Sequence, residues 1–292
     1  MQIRQKISIA ITPHLLEAAI IILPIILYAP LLIYWYDGWL NKTISIEHEY
    51  FSHGIIGLPF AAYISWTKRY QWRKLPNTAH PLGAILLGLG GVFYLSRSPE
   101  FVNLSLSIVL AGLCLWLKGV PGFKLQGFPL LLVFLATPNP VPYLIAPYTL
   151  LLQEFIAGTV GFILLQLGLD VNVQGIYVFV SGRIVEVAPY CAGLKMLFTS
   201  LYVDLMLLYW TEAWTSRTKT IVLVLGTVVI SVSTNIIRNT LLTFFHGTGQ
   251  DRLFDWLHDG WGGDLLSALM LGSVVFLLYG IERCYSLRRT KC

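Results

Sequence analysis

Apolar residues in this chain come in long unbroken runs. They show neither the three-and-four spacing of a surface helix nor the strict alternation of a half-buried strand. Runs such as Ala18 to Tyr36, Ile108 to Leu117, Phe162 to Leu169 and Ile221 to Val232 have too few polar positions to turn a face toward water. A helix crossing the hydrocarbon layer of a bilayer needs roughly 20 predominantly apolar residues. Nine segments are candidates, near 14–36, 54–67, 81–96, 102–118, 126–137, 145–169, 192–210, 219–245 and 264–283. The weakest is 126–137, which is short and runs into Thr137-Pro-Asn-Pro-Val-Pro142, where three prolines withdraw backbone donors. It is expected to be a partial or re-entrant segment, which is tolerated at membrane depth only when protein or water covers its backbone.

Composition supports this reading. Of the 292 residues 56% are hydrophobic and only 12% charged, about half the charged share of an ordinary soluble domain. The net charge of +5 does not point to nucleic acid, because the basic residues sit in short clusters between the apolar runs. Arg4 and Lys6 precede the first run; Lys68, Arg69, Arg73 and Lys74 follow the second; Lys118 and Lys124 follow the fourth. Arg217 and Lys219 precede the eighth, and Arg283, Arg288, Arg289 and Lys291 close the chain. The positive-inside rule puts all five clusters in the cytoplasm. With both termini there the number of crossings is even, so eight crossings plus one partial segment are expected. The first run is too long for a signal peptide and lacks a small-residue cleavage site, and it reads as a retained anchor. The expected fold is therefore all-α: a polytopic transmembrane helical bundle forming one integral membrane domain over 1–292.

This topology brings reactive side chains to one face. The loop from Asp170 to Tyr190 is expected outside, Cys191 opens the next inward run, and the run after it carries Arg238 near its outer end. The loop from His246 to Gly263 returns outside. Of the four cysteines, Cys114 lies within a run and Cys284 and Cys292 lie in the basic tail, and no CxxC spacing suggests zinc. Cys191 is either an inert packing residue or, at a helix start near a fixed positive charge, a thiol whose thiolate is favoured and therefore nucleophilic. Ser231, Asn235, Arg238, Asn239 and Leu242 recur at spacings of three and four, so four of these five make a polar stripe on an otherwise apolar helix, which predicts that it faces protein. Arg238 is a functional intramembrane charge or a snorkelling anchor. His246 and His258 both compete for an acid-base role. Before Cys191, two β-branched runs flank Ser181-Gly182 within 176–187, which predicts a small external β-hairpin or else an interfacial loop. A strand edge at that place suits an extended peptide.

Several of these stretches resemble the exosortase/archaeosortase family of multi-pass membrane cysteine transpeptidases, in particular its cyanobacterial branch, the cyanoexosortases. The resemblance lies in Tyr50-Phe-Ser-His-Gly54, the Pro138-Asn-Pro140 break, the Gly175 to Val187 lead-in and Val187-Ala-Pro-Tyr-Cys-Ala-Gly-Leu194. It continues in Asn235-Ile-Ile-Arg-Asn239 and in His258 with Gly262. It implies a catalytic Cys191, Arg238 and His258 in a catalytic half at about 145–283, with His246, Asn235, Asn239, Gly193 and His53 as supporting candidates. Ala192 departs from the pattern, since many members carry Ser there. The resemblance further implies no cofactor and no metal, and an active site facing the periplasm at the bacterial inner membrane. The partners it implies are exported proteins with a C-terminal sorting signal of the PEP-CTERM type: a short Pro-Glu-Pro-like motif, a transmembrane helix and a basic tail. Cleavage would occur near the motif, in bacteria that often make extracellular polysaccharide. Two other classes compete. A transporter or flippase of lipid-linked glycans would use Arg238 and the histidines for phosphate or protons, but predicts an inverted repeat that the sequence does not display. A non-catalytic scaffold would tolerate loss of all these side chains.

Overall fold

A computed structural model of the chain describes residues 22–40, 50–188 and 193–289. The helices are α1 (Ile22–Leu40), α2 (Gly54–Thr67), α3 (Arg69–Lys74), α4 (Pro81–Leu95), α5 (Pro99–Ala136), α6 (Val141–Ile145) and α7 (Leu150–Gln166). A three-stranded sheet follows, β1 (Val171–Gln174), β2 (Tyr177–Val180) and β3 (Arg183–Glu186), then α8 (Leu194–Trp210), α9 (Arg217–Gly247), α10 (Asp251–His258) and α11 (Trp261–Arg289). Among the described residues five helices have the length and apolar composition to cross a membrane: α1, α5, the helix 147–166 that contains α7, α9 and α11. The shorter α2 and α4 are also apolar. The protein is thus a multi-pass helical membrane protein.

Two compact units divide the chain: α1 with residues 59–138, and Tyr50–Leu58 with the chain from Asn139 onward. In the first, α5 is two helical stretches that meet at Gly119, and the second of them contains the segment expected at 126–137 up to Ala136. Gly119 itself is not helical, with φ of 60° and ψ of −156°. Glycine takes that conformation without a Cβ clash, so the chain bends there and resumes its helix. The Lys118 ammonium beside the bend donates to the Leu75 carbonyl (2.8 Å) and to Asn77 Oδ1 (2.6 Å). Buried polar pairs join α1 to α5: Trp35 Nε1 donates to Asn103 Oδ1 at 2.7 Å, and the Tyr28 and Ser105 hydroxyls lie 3.0 Å apart. Such bonds hold membrane helices together where lipid removes the hydrophobic incentive to associate.

In the second unit α9 packs against α7, α8, α10 and α11. The sheet has the order β1-β2-β3 and is antiparallel throughout. Ser181-Gly182 turns β2 into β3 with φ of 51° and 82° at the two positions, the double left-handed turn that matches strand twist. β1, which the chain pattern did not predict, pairs with β2 across Gly175-Ile176. Val178 and Val180 of β2, with Val187 just beyond β3, are fully buried against Ile156, Ala157, Val160 and Leu164 of α7, and Ile236 and Phe244 of α9 pack on the same cluster. One face of the sheet is thereby fastened to two helices.

Candidate active site

Cys191 lies outside the described residues, and the site is built from the positions on either side of it. On the near side Val187 is buried and its carbonyl accepts a 2.8 Å bond from Nε2 of the buried Gln153 on α7. Ala188 is buried as well. On the far side Gly193 sits before the first turn of α8 with φ 84° and ψ 9°, and its carbonyl accepts from the Leu197 N–H at 2.9 Å. A Cβ on Gly193 would approach the Cγ and Nδ2 of Asn235 to 2.7 Å, far inside contact distance. Conformation and space both call for glycine here.

Asn235 is buried in α9, and the Asn239 amide donates to its carbonyl at 2.9 Å. The expected polar stripe faces protein and is longer than the sequence reading had it. Thr227, Ser231, Asn235, Asn239 and Thr243 recur every fourth residue and all are buried. At its lower end the Thr227 hydroxyl donates to Oδ1 of the buried Asp204 on α8 at 2.9 Å. This α8–α9 bond escaped the sequence reading, although Thr227 continues the same four-residue repeat. Arg238, one turn beyond Asn235, is half-buried. Among the described residues no carboxylate pairs with it.

The two histidines come together around one aromatic ring. Phe254 of α10 stacks on His258 with centroids 5.2 Å apart and an angle of 9°, and it meets His246 at 5.3 Å and 50°. His258 Nδ1 lies 2.8 Å from Asp259 Oδ1. A carboxylate at Nδ1 favours the tautomer with its proton on that nitrogen and leaves Nε2 for chemistry. Asp259 was missed from sequence, though its place next to the histidine was a usable signal. His53 is buried against Tyr202 of α8 at 4.4 Å and Phe51 at 5.9 Å. The stretch that contains it packs on α8 through Tyr50, Phe51, Leu194 and Phe198.

The profile of the transmembrane exosortases matches residues 39–277, and so covers the Tyr50–His53 stretch, α8 to α10 and the first part of α11. The chain belongs to the transmembrane exosortase family. No curated protein and no solved structure matches it. Exosortases are sorting transpeptidases of the membrane that act on exported proteins carrying C-terminal sorting signals. In this exosortase-family chain the turn at Gly193 and the helix carrying Arg238 are in direct contact through Asn235, and a histidine–carboxylate pair ends α10.

Proposed function

We propose that the protein is a membrane cysteine peptidase/transpeptidase that cleaves C-terminal PEP-CTERM-type sorting signals at the outer face of the inner membrane, with both its termini cytoplasmic. The reading includes eight crossings and one partial segment, and assigns catalysis to Cys191, Arg238 and His258. The observation that carries it is the contact of Gly193, two residues after Cys191, with Asn235, one turn before Arg238.

In this mechanism the Cys191 thiolate attacks the scissile carbonyl carbon. The carbonyl π electrons move onto oxygen, where the Arg238 guanidinium donates hydrogen bonds to the developing oxyanion. Collapse of the tetrahedral intermediate breaks the C–N bond, and His258 delivers a proton from Nε2 to the leaving amine while Asp259 holds Nδ1–H. The thioester then passes its acyl group to water or to an amine, with neutral His258 removing the proton of the acceptor.

The test is a reporter carrying a sorting tail, expressed with wild-type protein and with Cys191→Ser, Arg238→Ala, His258→Ala and His246→Ala. Mass spectrometry of the reporter's new C-terminus identifies the cut and the acceptor. Undiminished cleavage with Cys191→Ser ends the proposal, and indifference to Cys191 combined with dependence on Arg238 points to a transporter instead.

A further inference from the structure

The free edge of β3 is the strongest feature that the proposed chemistry leaves unused. The Val187 N–H donates to the Ile176 carbonyl at 2.9 Å. With the β2–β3 register of Val178 with Val185 and Val180 with Arg183, this places the ladder bonds at 183, 185 and 187. In an antiparallel pair alternate residues turn their N–H and C=O to opposite sides. Ile184 and Glu186 therefore direct their backbone groups away from β2, and among the described residues nothing bonds to them. The other face of the sheet is covered by α7 and α9, but Ile184 is 56% exposed and Glu186 is exposed. Proteins usually cover, shorten or blunt such an edge because it recruits another strand. Here it is left open five residues before Cys191.

We infer that the open edge of β3 is the docking strand for the extended segment of the substrate that leads to the scissile bond, which adds as a fourth strand parallel to β3. This rests on the cleavage reading above and identifies where that substrate is held. Three observations select an extended peptide as the occupant. Two residues with outward N–H and C=O groups are the footprint of a short strand. Those residues stand seven and five positions before Cys191 in the sequence, which ties the edge to the proposed nucleophile by a short length of chain. The chain of β3 then proceeds into the apolar helix α8, and a substrate whose extended segment precedes its own membrane helix enters in the same sense, which makes the pairing parallel. Such a peptide tolerates proline at alternate positions. The residue between two prolines offers its N–H and C=O to β3, and the prolines, lacking N–H, face away and prevent a fifth strand from adding.

The experiment uses full-length protein in lipid vesicles and a fluorescent sorting-tail peptide, with peptide binding and peptide cleavage measured separately. The probe peptide is made with an amide or, at the residue between its two prolines, with a backbone ester that removes the N–H. The ester is expected to weaken binding by roughly three- to tenfold, the worth of one backbone hydrogen bond, and to leave kcat unchanged. Glu186→Pro removes the N–H that donates to the carbonyl of that same peptide residue, at a position where no ladder bond is lost, and is expected to weaken binding of the amide peptide to a similar extent. Equal binding of ester and amide peptides by the wild-type protein overturns the inference. If Glu186→Pro does not fold, the ester comparison on the wild-type protein decides alone. Edge-dependent binding without cleavage retains the docking strand and ends the peptidase reading; cleavage with no edge dependence does the reverse.

Discussion

Gly193 and Asn235 are in contact so close that a Cβ on the glycine would lie 2.7 Å from the asparagine amide. The first residue of the α8 turn is thereby seated on the helix that carries Arg238. Gly193→Ala should lose on two counts, the left-handed φ at roughly 1–2 kcal/mol and the collision with a buried side chain. We expect cleavage of a sorting-tail reporter to fall at least tenfold, with a modest decrease in thermal unfolding temperature. Unchanged cleavage would remove the turn from the catalytic argument.

Arg238 and His258 should differ in how their loss is read. Arg238→Ala is expected to lower kcat by about two to three powers of ten with little change in KM, the usual result of removing an oxyanion donor. Arg238→Lys should recover only part of that, because a single ammonium cannot reproduce the guanidinium fork. Steady-state kinetics in vesicles separate these outcomes. His246→Ala, which removes only a tilted neighbour of Phe254, should stay within a few-fold of wild type.

Asp259→Asn should act through His258. The carboxylate is 76% exposed, so water screens much of its effect, and about a tenfold drop in kcat is expected against a larger loss for His258→Ala. Asp259→Glu, which keeps a carboxylate, should recover part of the loss. A kcat of Asp259→Asn equal to wild type would assign Asp259 to packing alone.

Thr227→Val should destabilise the pairing of α8 with α9. It deprives the buried Asp204 carboxyl of its 2.9 Å donor at about 1–3 kcal/mol. Thr227→Ser, which keeps the hydroxyl, should restore most of the loss. Unfolding in detergent, monitored together with reporter cleavage, checks both.

The sequence by itself determined what depends on neighbouring residues. Apolar runs without a polar face require a bilayer at any tertiary arrangement, since no soluble core could cover them. Ser181-Gly182 carries its own turn chemistry, so the β2–β3 reversal was legible, and the spacing of Ser231, Asn235 and Asn239 alone predicted a protein-facing stripe. The family motifs were likewise local strings. Tertiary structure decided whatever joins distant residues. β1 exists only because β2 is there to pair with it, and its short Val171–Gln174 run carries too little pattern to declare a strand. The run after Lys118 is set apart at Gly119, whose non-helical backbone is fixed by the turn it makes there. Contacts of Gly193 with Asn235, Asp204 with Thr227, and Phe254 with His246 arise from the packing of separate helices. A one-dimensional pattern specifies which residues share a helix face, while which two faces meet depends on packing summed over the whole unit.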